Sequence, residues 1–266
     1  MKKMLFSALL LCSLGTLYSC FTNPVTGRKT LNLADEASMR TAAAAEYQKV
    51  LATSRPITGT PDAEMVKRIG ARMQVAVQQY LATINKTDLV SGYQWEFNLI
   101  NNKEANAWCM PGGKVAVYTG ILPYTQTETG LAVVMGHEIA HAVARHSNER
   151  ATDVMPTQYG GQALSGLLGT NSSGAGEVIN AAIGIGGTGL LLKFSRNQES
   201  EADEMGLYFM AMAGYNPEEA VNFWQRMGSG GGGKPPEILS THPSDQTRIN
   251  DIKRLLPKAK QYYKPQ

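Results

Sequence analysis

Apolar residues recur at steps of three or four from Val66 through Ile69, Met73, Val77 and Tyr80 to Ile84, the spacing of a helix with one buried stripe. Thr60 stands at the N-cap position, and Pro61 takes the first helical position, where a missing N–H costs nothing. The pattern predicts a helix over 61–84, preceded by another from Asp35 to about Leu51. The period then changes. In YQWEFNLI, Trp95, Phe97 and Leu99 alternate with Gln94, Glu96 and Asn98, as in a half-buried strand. GGKVAVYTG follows a Pro-Gly-Gly turn and reads as a second short strand. Val133, Val134, Ile139, Ala140, Val143 and Ala144 then predict a helix buried on most sides. The expected class is α+β and mainly helical, with a small antiparallel sheet beside that last helix.

The stretch from Gly160 to Leu192 is rich in Gly, Ala and Leu, but its uninterrupted run, Ala181 to Leu192, is shorter than the roughly 20 residues that span a bilayer. It reads as closely packed or mobile helix, and MGSGGGGKPPE further on reads as a flexible loop. No internal repeat is visible.

Composition narrows the picture only a little. The 266 residues are 43% hydrophobic and 18% charged, an ordinary globular balance with room for a core. A net charge of +3 implies neither a nucleic acid nor an acidic partner. The N-terminus, MKKMLFSALLLCSLGTLYSC, is more telling: a basic start, an apolar run from Met4 to Leu17 and a small residue before Cys20 form a secretory signal. LYSC resembles a bacterial lipobox, so residues 1–19 are expected to be removed and Cys20 to be lipid-modified. Tyr18 departs from the usual small or aliphatic residue there. Cys109 would remain as the single thiol, which excludes a disulfide framework. The segment 20–55 is expected to hold a polar tether and the first helix, and 56–266 the folded domain.

The chemistry lies in VVMGHEIAHAVARH, which holds three of the four histidines. Residues four apart on a helix differ by about 40°, so His137 and His141 project from one face and can reach one ion. HEIAH is the HExxH pattern, in which two histidines bind zinc and the glutamate, here Glu138, serves as general base. His146 is rotated by about 140° from His141 and is expected to be structural. A further ligand must come from elsewhere. The metzincin continuation is missing, because AVARH lacks its glycine and brings His146 one position early. A later acidic cluster, SRNQESEADEMG, offers Glu199 and Asp203 on one helix face, with Glu201 rotated by about 200° from Glu199 and so looking away. Spacing leaves open which acid is the ligand and which supports a histidine from behind.

HEIAH followed by ESEAD, with NAWCMPGGKVAVYTGIL upstream and THPSDQTR downstream, resembles peptidase family M48, the HtpX-like and BepA-like gluzincins, over about residues 60–256. The resemblance implies a zincin-type metallopeptidase with one Zn2+ per chain. It makes Glu199 the third ligand, Asp203 the residue behind a ligand, and Glu201 a variable position. It also gives His242 one of two roles, filling the fourth metal position at rest or donating to the oxyanion, and makes Arg248 a candidate to stabilise the loop or the transition state. The integral-membrane branch carries transmembrane helices around this core and BepA-like proteins a helical-repeat domain after it; neither is expected here, since no apolar run of that length flanks the core and little sequence follows THP.

These readings lead to the expectation of a zinc endopeptidase on the periplasmic side of a bacterial envelope, tied to the outer membrane by lipid. Its expected partners are misfolded or stalled envelope polypeptides, and nucleic acid is not among them. Substrate is expected to lie along the strand Lys114, Val115, Ala116, Val117 and Tyr118, since an open sheet edge reads backbone and demands little of side chains. The rival expectation is an assembly factor or chaperone on a peptidase scaffold. The intact Glu138 and ligand set argue against it, because a pure binder needs neither.

Overall fold

The computed structural model describes residues 20–154, 194–228, 238–242 and 246–265. The leader before Cys20, the small-residue stretch from Gly160 to Leu192 and the glycine-rich segment 229–237 lie outside the described residues.

The chain opens with a hairpin of β1 (Cys20–Thr22) and β2 (Lys29–Leu31), followed by α1 (Glu36–Ser54) and the two-residue β3 (Pro56–Ile57). Next come α2 (Pro61–Thr83), β4 (Glu96–Ile100), β5 (Ala107–Met110) and β6 (Lys114–Tyr118). The remainder is helical: α3 (Leu122–Thr125), α4 (Glu128–Val143), α5 (His146–Val154), α6 (Arg196–Met212), α7 (Glu219–Gly228), α8 (Ile238–Thr241) and α9 (Gln246–Ala259). The α2 boundaries follow the local chemistry: Thr60 accepts from Ala63 N, Pro61 leads, and Val66, Ile69, Met73, Val77 and Tyr80 form the buried stripe. Asp35 caps α1 through Ser38 N, and Thr127 caps α4 through Gly130 N.

The sheet order is β3-β4-β6-β5. One face, with Leu99, Ala107, Val115 and Val117, packs into the core shared with α2, α4, α6 and α7. The other, with Ile100, Trp108, Met110 and Ala116, packs under Met39, Ala43 and Tyr47 of α1. Burial on both faces explains why VAV reads as a continuous apolar run.

Three expectations need correction. The sheet is mixed rather than antiparallel: β4 and β6 pair in parallel, because β5 intervenes in sequence and turns back on the far side of β6. Consequently Lys114–Tyr118 is an interior strand, paired with β4 on one side and β5 on the other, and has no edge to offer a substrate. The polar segment after Cys20 is no loose tether either. It folds as the β1-β2 hairpin, burying Phe21 and Asn23 against the body. Among the described residues no helix is long and apolar enough to cross a membrane.

Candidate metal centre

Helices α4 and α6 pack tightly against each other, and their facing sides carry HEIAH and ESEAD. The α6 start is fixed by a capping box, in which Ser195 and Gln198 each satisfy the other's backbone N–H, so Glu199 emerges in the first turn. His137, Glu138, His141, Glu199, Asp203, His242 and Arg248 are all buried.

One ligand atom from each of His137, His141, Glu199 and His242 lies within 4.8 Å of the others. Nε2 of His141 is 3.0 Å from Nε2 of His137. The Glu199 carboxylate approaches both at 3.5 Å. Nδ1 of His242, at the end of α8, stands 2.7 Å from Glu199 Oε1 and 3.2 Å from His137 Nε2. On its other side, His242 Nε2 lies 3.5 Å from Glu138 Oε1. That oxygen is buried and makes no hydrogen bond among the described residues.

The groups behind the two motif histidines fix their tautomers. His137 Nδ1 lies 3.0 Å from Asp203 Oδ1, a carboxylate that only accepts, so the proton sits on Nδ1 and the Nε2 lone pair faces the cluster. His141 Nδ1 is 2.8 Å from His146 Nδ1, and His146 Nε2 donates to Glu201 Oε2 at 3.0 Å. His146 therefore accepts at Nδ1, which leaves His141 Nε2 as a second inward lone pair. Burial, above all, holds the His146 pKa below its ordinary value, and Glu201 opposes this without overcoming it. With both rings neutral, two imidazole lone pairs and a carboxylate converge in a buried site that draws in positive charge: against burial and Arg248, which lower it, Asp203 and Glu199 raise the His137 pKa to about 9. The donor set of two or three imidazoles and one carboxylate suits a divalent borderline metal such as zinc.

Arg248 braces the carboxylates. Its Nη1 is 2.8 Å from Glu199 Oε2, and its Nε and Nη2 grip both Asp203 oxygens at 2.8 and 2.7 Å. Its guanidinium carbon lies 3.5 Å above the Trp224 ring. The Glu138 carboxyl is pushed above its ordinary range by burial, against the pull of His242 and His137. Glu201 goes the other way, to about 2. Burial would raise it, but hydrogen bonds from His146, Arg28 and Thr26 prevail.

The candidate residues thus fall into place unevenly. His137, His141, Glu199 and His242 meet at one point, with Glu138 beside His242 and Asp203 and Arg248 behind the cluster. His146 and Glu201 stay out of the ligand set, as their rotations imply, but are packed directly behind His141. Phe194, which carries no motif, lays its ring 3.8 Å from that of His141 and 4.8 Å from that of His242. Nothing in its local sequence marks it. Cys20 is exposed, and Cys109 is a half-buried thiol whose pKa burial pushes well up.

The profile of peptidase family M48 matches residues 62–256. The mitochondrial metalloendopeptidase OMA1 of Schizosaccharomyces pombe is 38% identical over 185 residues, covering 69% of this chain and 53% of that protein. OMA1 of Saccharomyces cerevisiae is 34% identical over 200 residues, covering 72% and 55% respectively. The beta-barrel assembly-enhancing protease of Escherichia coli is 32% identical over 164 residues, covering 60% of this chain and 34% of that protein. The chain spans about half the length of the OMA1 relatives it matches.

Proposed function

The chain belongs to peptidase family M48, and from that premise we propose that it is a zinc-dependent endopeptidase of a bacterial cell envelope. The observation that carries this reading is the convergence of His137, His141, Glu199 and His242 beside the unsatisfied oxygen of Glu138. His137, His141 and Glu199 would hold one Zn2+, which supplies Lewis acidity to a scissile carbonyl and makes water acidic near neutral pH. Glu138 takes the proton of the attacking water at Oε1 and hands it to the leaving amine, a role suited to a carboxyl whose proton affinity burial has raised. Asp203 and Arg248 hold His137 and Glu199 in register while charge develops. His242 occupies the fourth place of the cluster, between the ligands and Glu138, and so keeps the resting enzyme closed.

Polypeptide would bind along β5, not β6. Among the described residues β5 carries no strand on its outer side, and it packs beside α4. Tyr118 N donates to Asn106 O, so by the alternation of an antiparallel ladder Trp108 and Met110 face β6, and the N–H and C=O of Cys109 face outward. Backbone recognition of this kind suits unfolded or misassembled envelope proteins. A lipid on Cys20, supported by the apolar run and LYSC, would hold the enzyme at a membrane, the outer one by expectation. The name of the Escherichia coli relative supports an envelope role; the OMA1 relatives are mitochondrial by name.

The test is zinc content and casein cleavage by the purified chain and its variants. Glu138→Gln should keep about one zinc and lose activity by about 10²–10⁴, the usual contribution of a positioned base. Glu199→Ala should lose the metal. A zinc-loaded wild type and a zinc-loaded His242→Ala that both leave casein intact would favour a binding role instead.

A further inference from the structure

The two motif histidines are braced differently. His137 meets its carboxylate directly, at Asp203, within the stretch that the family profile covers. On its Nδ1 side His141 reaches one through His146, at Glu201, and Glu201 in turn is held by residues outside that stretch. Thr26 Oγ1 donates to Glu201 Oε1 at 2.6 Å. Arg28 grips the same carboxylate with two nitrogens, Nε at 2.9 Å from Oε1 and Nη2 at 2.8 Å from Oε2. Arg28 is itself steadied from the other side by Glu149, which also accepts from Gln198 Nε2 at 2.8 Å. Both Thr26 and Arg28 sit in the turn and second strand entry of the β1-β2 hairpin, whose Phe21 and Asn23 are buried.

We propose that the N-terminal hairpin is part of the metal site, with Thr26 and Arg28 as positioning residues that set the orientation of His141 through Glu201 and His146. The direction of every hydrogen bond is consistent with this. Thr26 and Arg28 donate to Glu201, which must then accept from His146 Nε2–H. His146 is left to accept at Nδ1, so His141 carries its proton on Nδ1 and points the Nε2 lone pair inward. If Glu201 is released, its hold on the His146 ring goes with it, and His141 is free to change tautomer or rotate. The hairpin begins at Cys20, so whatever is attached to or pulls on that residue acts on an element three hydrogen bonds from a metal ligand.

The inference rests on the proposed zinc site, and its test separates the two. Zn2+-loaded full-length protein is mixed with a chromogenic chelator and the rate of zinc release is followed, with kcat and KM on casein measured alongside. Thr26→Val and Arg28→Ala should speed release about tenfold, the lower end of what outer partners of a metal site contribute, and should lower kcat with little change in KM. Thr26→Ser should restore the wild-type rate, because it keeps the hydroxyl donor. Glu149→Ala, which removes the staple of the hairpin but leaves the bonds to Glu201, should stay within about twofold of wild type on the same scale. Release from Thr26→Val and Arg28→Ala no faster than from wild type, or equally fast release from Glu149→Ala, would make the hairpin a structural prop and overturn the inference alone. A wild-type chain that takes up no zinc would overturn the metal-site reading and this inference with it. Thr26→Val changes one polar atom for a methyl of similar size, so it keeps the test decisive even if Arg28→Ala folds poorly.

Discussion

Gly206 and Gly136 meet backbone to backbone where α6 crosses α4: a methyl group at Gly206 would stand 3.0 Å from His137 N and 3.1 Å from Gly136 C. This close approach, one residue from the first motif histidine, brings the face with Glu199 and Asp203 within ligand distance of the face with His137 and His141.

Helix propensity alone would favour replacing Gly206 with alanine by about 1 kcal/mol. The opposing atoms are backbone and cannot step aside, so the helices must part. Gly206→Ala should lower the melting temperature, and Gly206→Val should do so further, with an overpacking cost of about 1–3 kcal/mol. Thermal melts with and without zinc check this, and a more stable Gly206→Ala would refute it.

His242 lies 2.7 Å from Glu199 and 3.5 Å from Glu138, so it stands where a substrate carbonyl and water would have to enter. His242→Ala should raise casein cleavage and self-cleavage on the order of tenfold, as expected if about 1.4 kcal/mol of competing contact is removed. A loss of about 10²–10³ would instead assign it to the oxyanion. Unchanged turnover would exclude both roles.

If β5 is the strand that reads substrate backbone, the outward N–H of Cys109 is one of its donors. Proline is tolerated on an edge strand where the N–H faces outward. Cys109→Pro should therefore fold, retain zinc, and raise KM for casein by up to about tenfold, the worth of one hydrogen bond. A KM equal to that of wild type would remove β5 from the substrate path.

The lipid on Cys20 is checked by the mature N-terminus. Mass spectrometry of the envelope-extracted protein should find a chain beginning at an acylated Cys20, and Cys20→Ala should leave the membrane fraction or retain its leader. Any other mature first residue would refute the lipobox reading.

The sequence alone determined what depends on neighbours within a few turns. The caps and buried stripe of α2, the two histidines on one face of α4, the shared face of Glu199 and Asp203, and the outward rotation of Glu201 and His146 from the ligand set are all consequences of helical period. A period shows which residues share a face; it cannot say what that face meets. Strand order is a matter of long-range pairing, so KVAVY has the same alternation inside a sheet as at an edge, and only the parallel β4-β6 pairing placed it inside. The acid that looked spare, Glu201, became the anchor of His141 because Thr26, 175 residues earlier, folds over it. A buried carboxylate must find donors, and local sequence does not record where they come from.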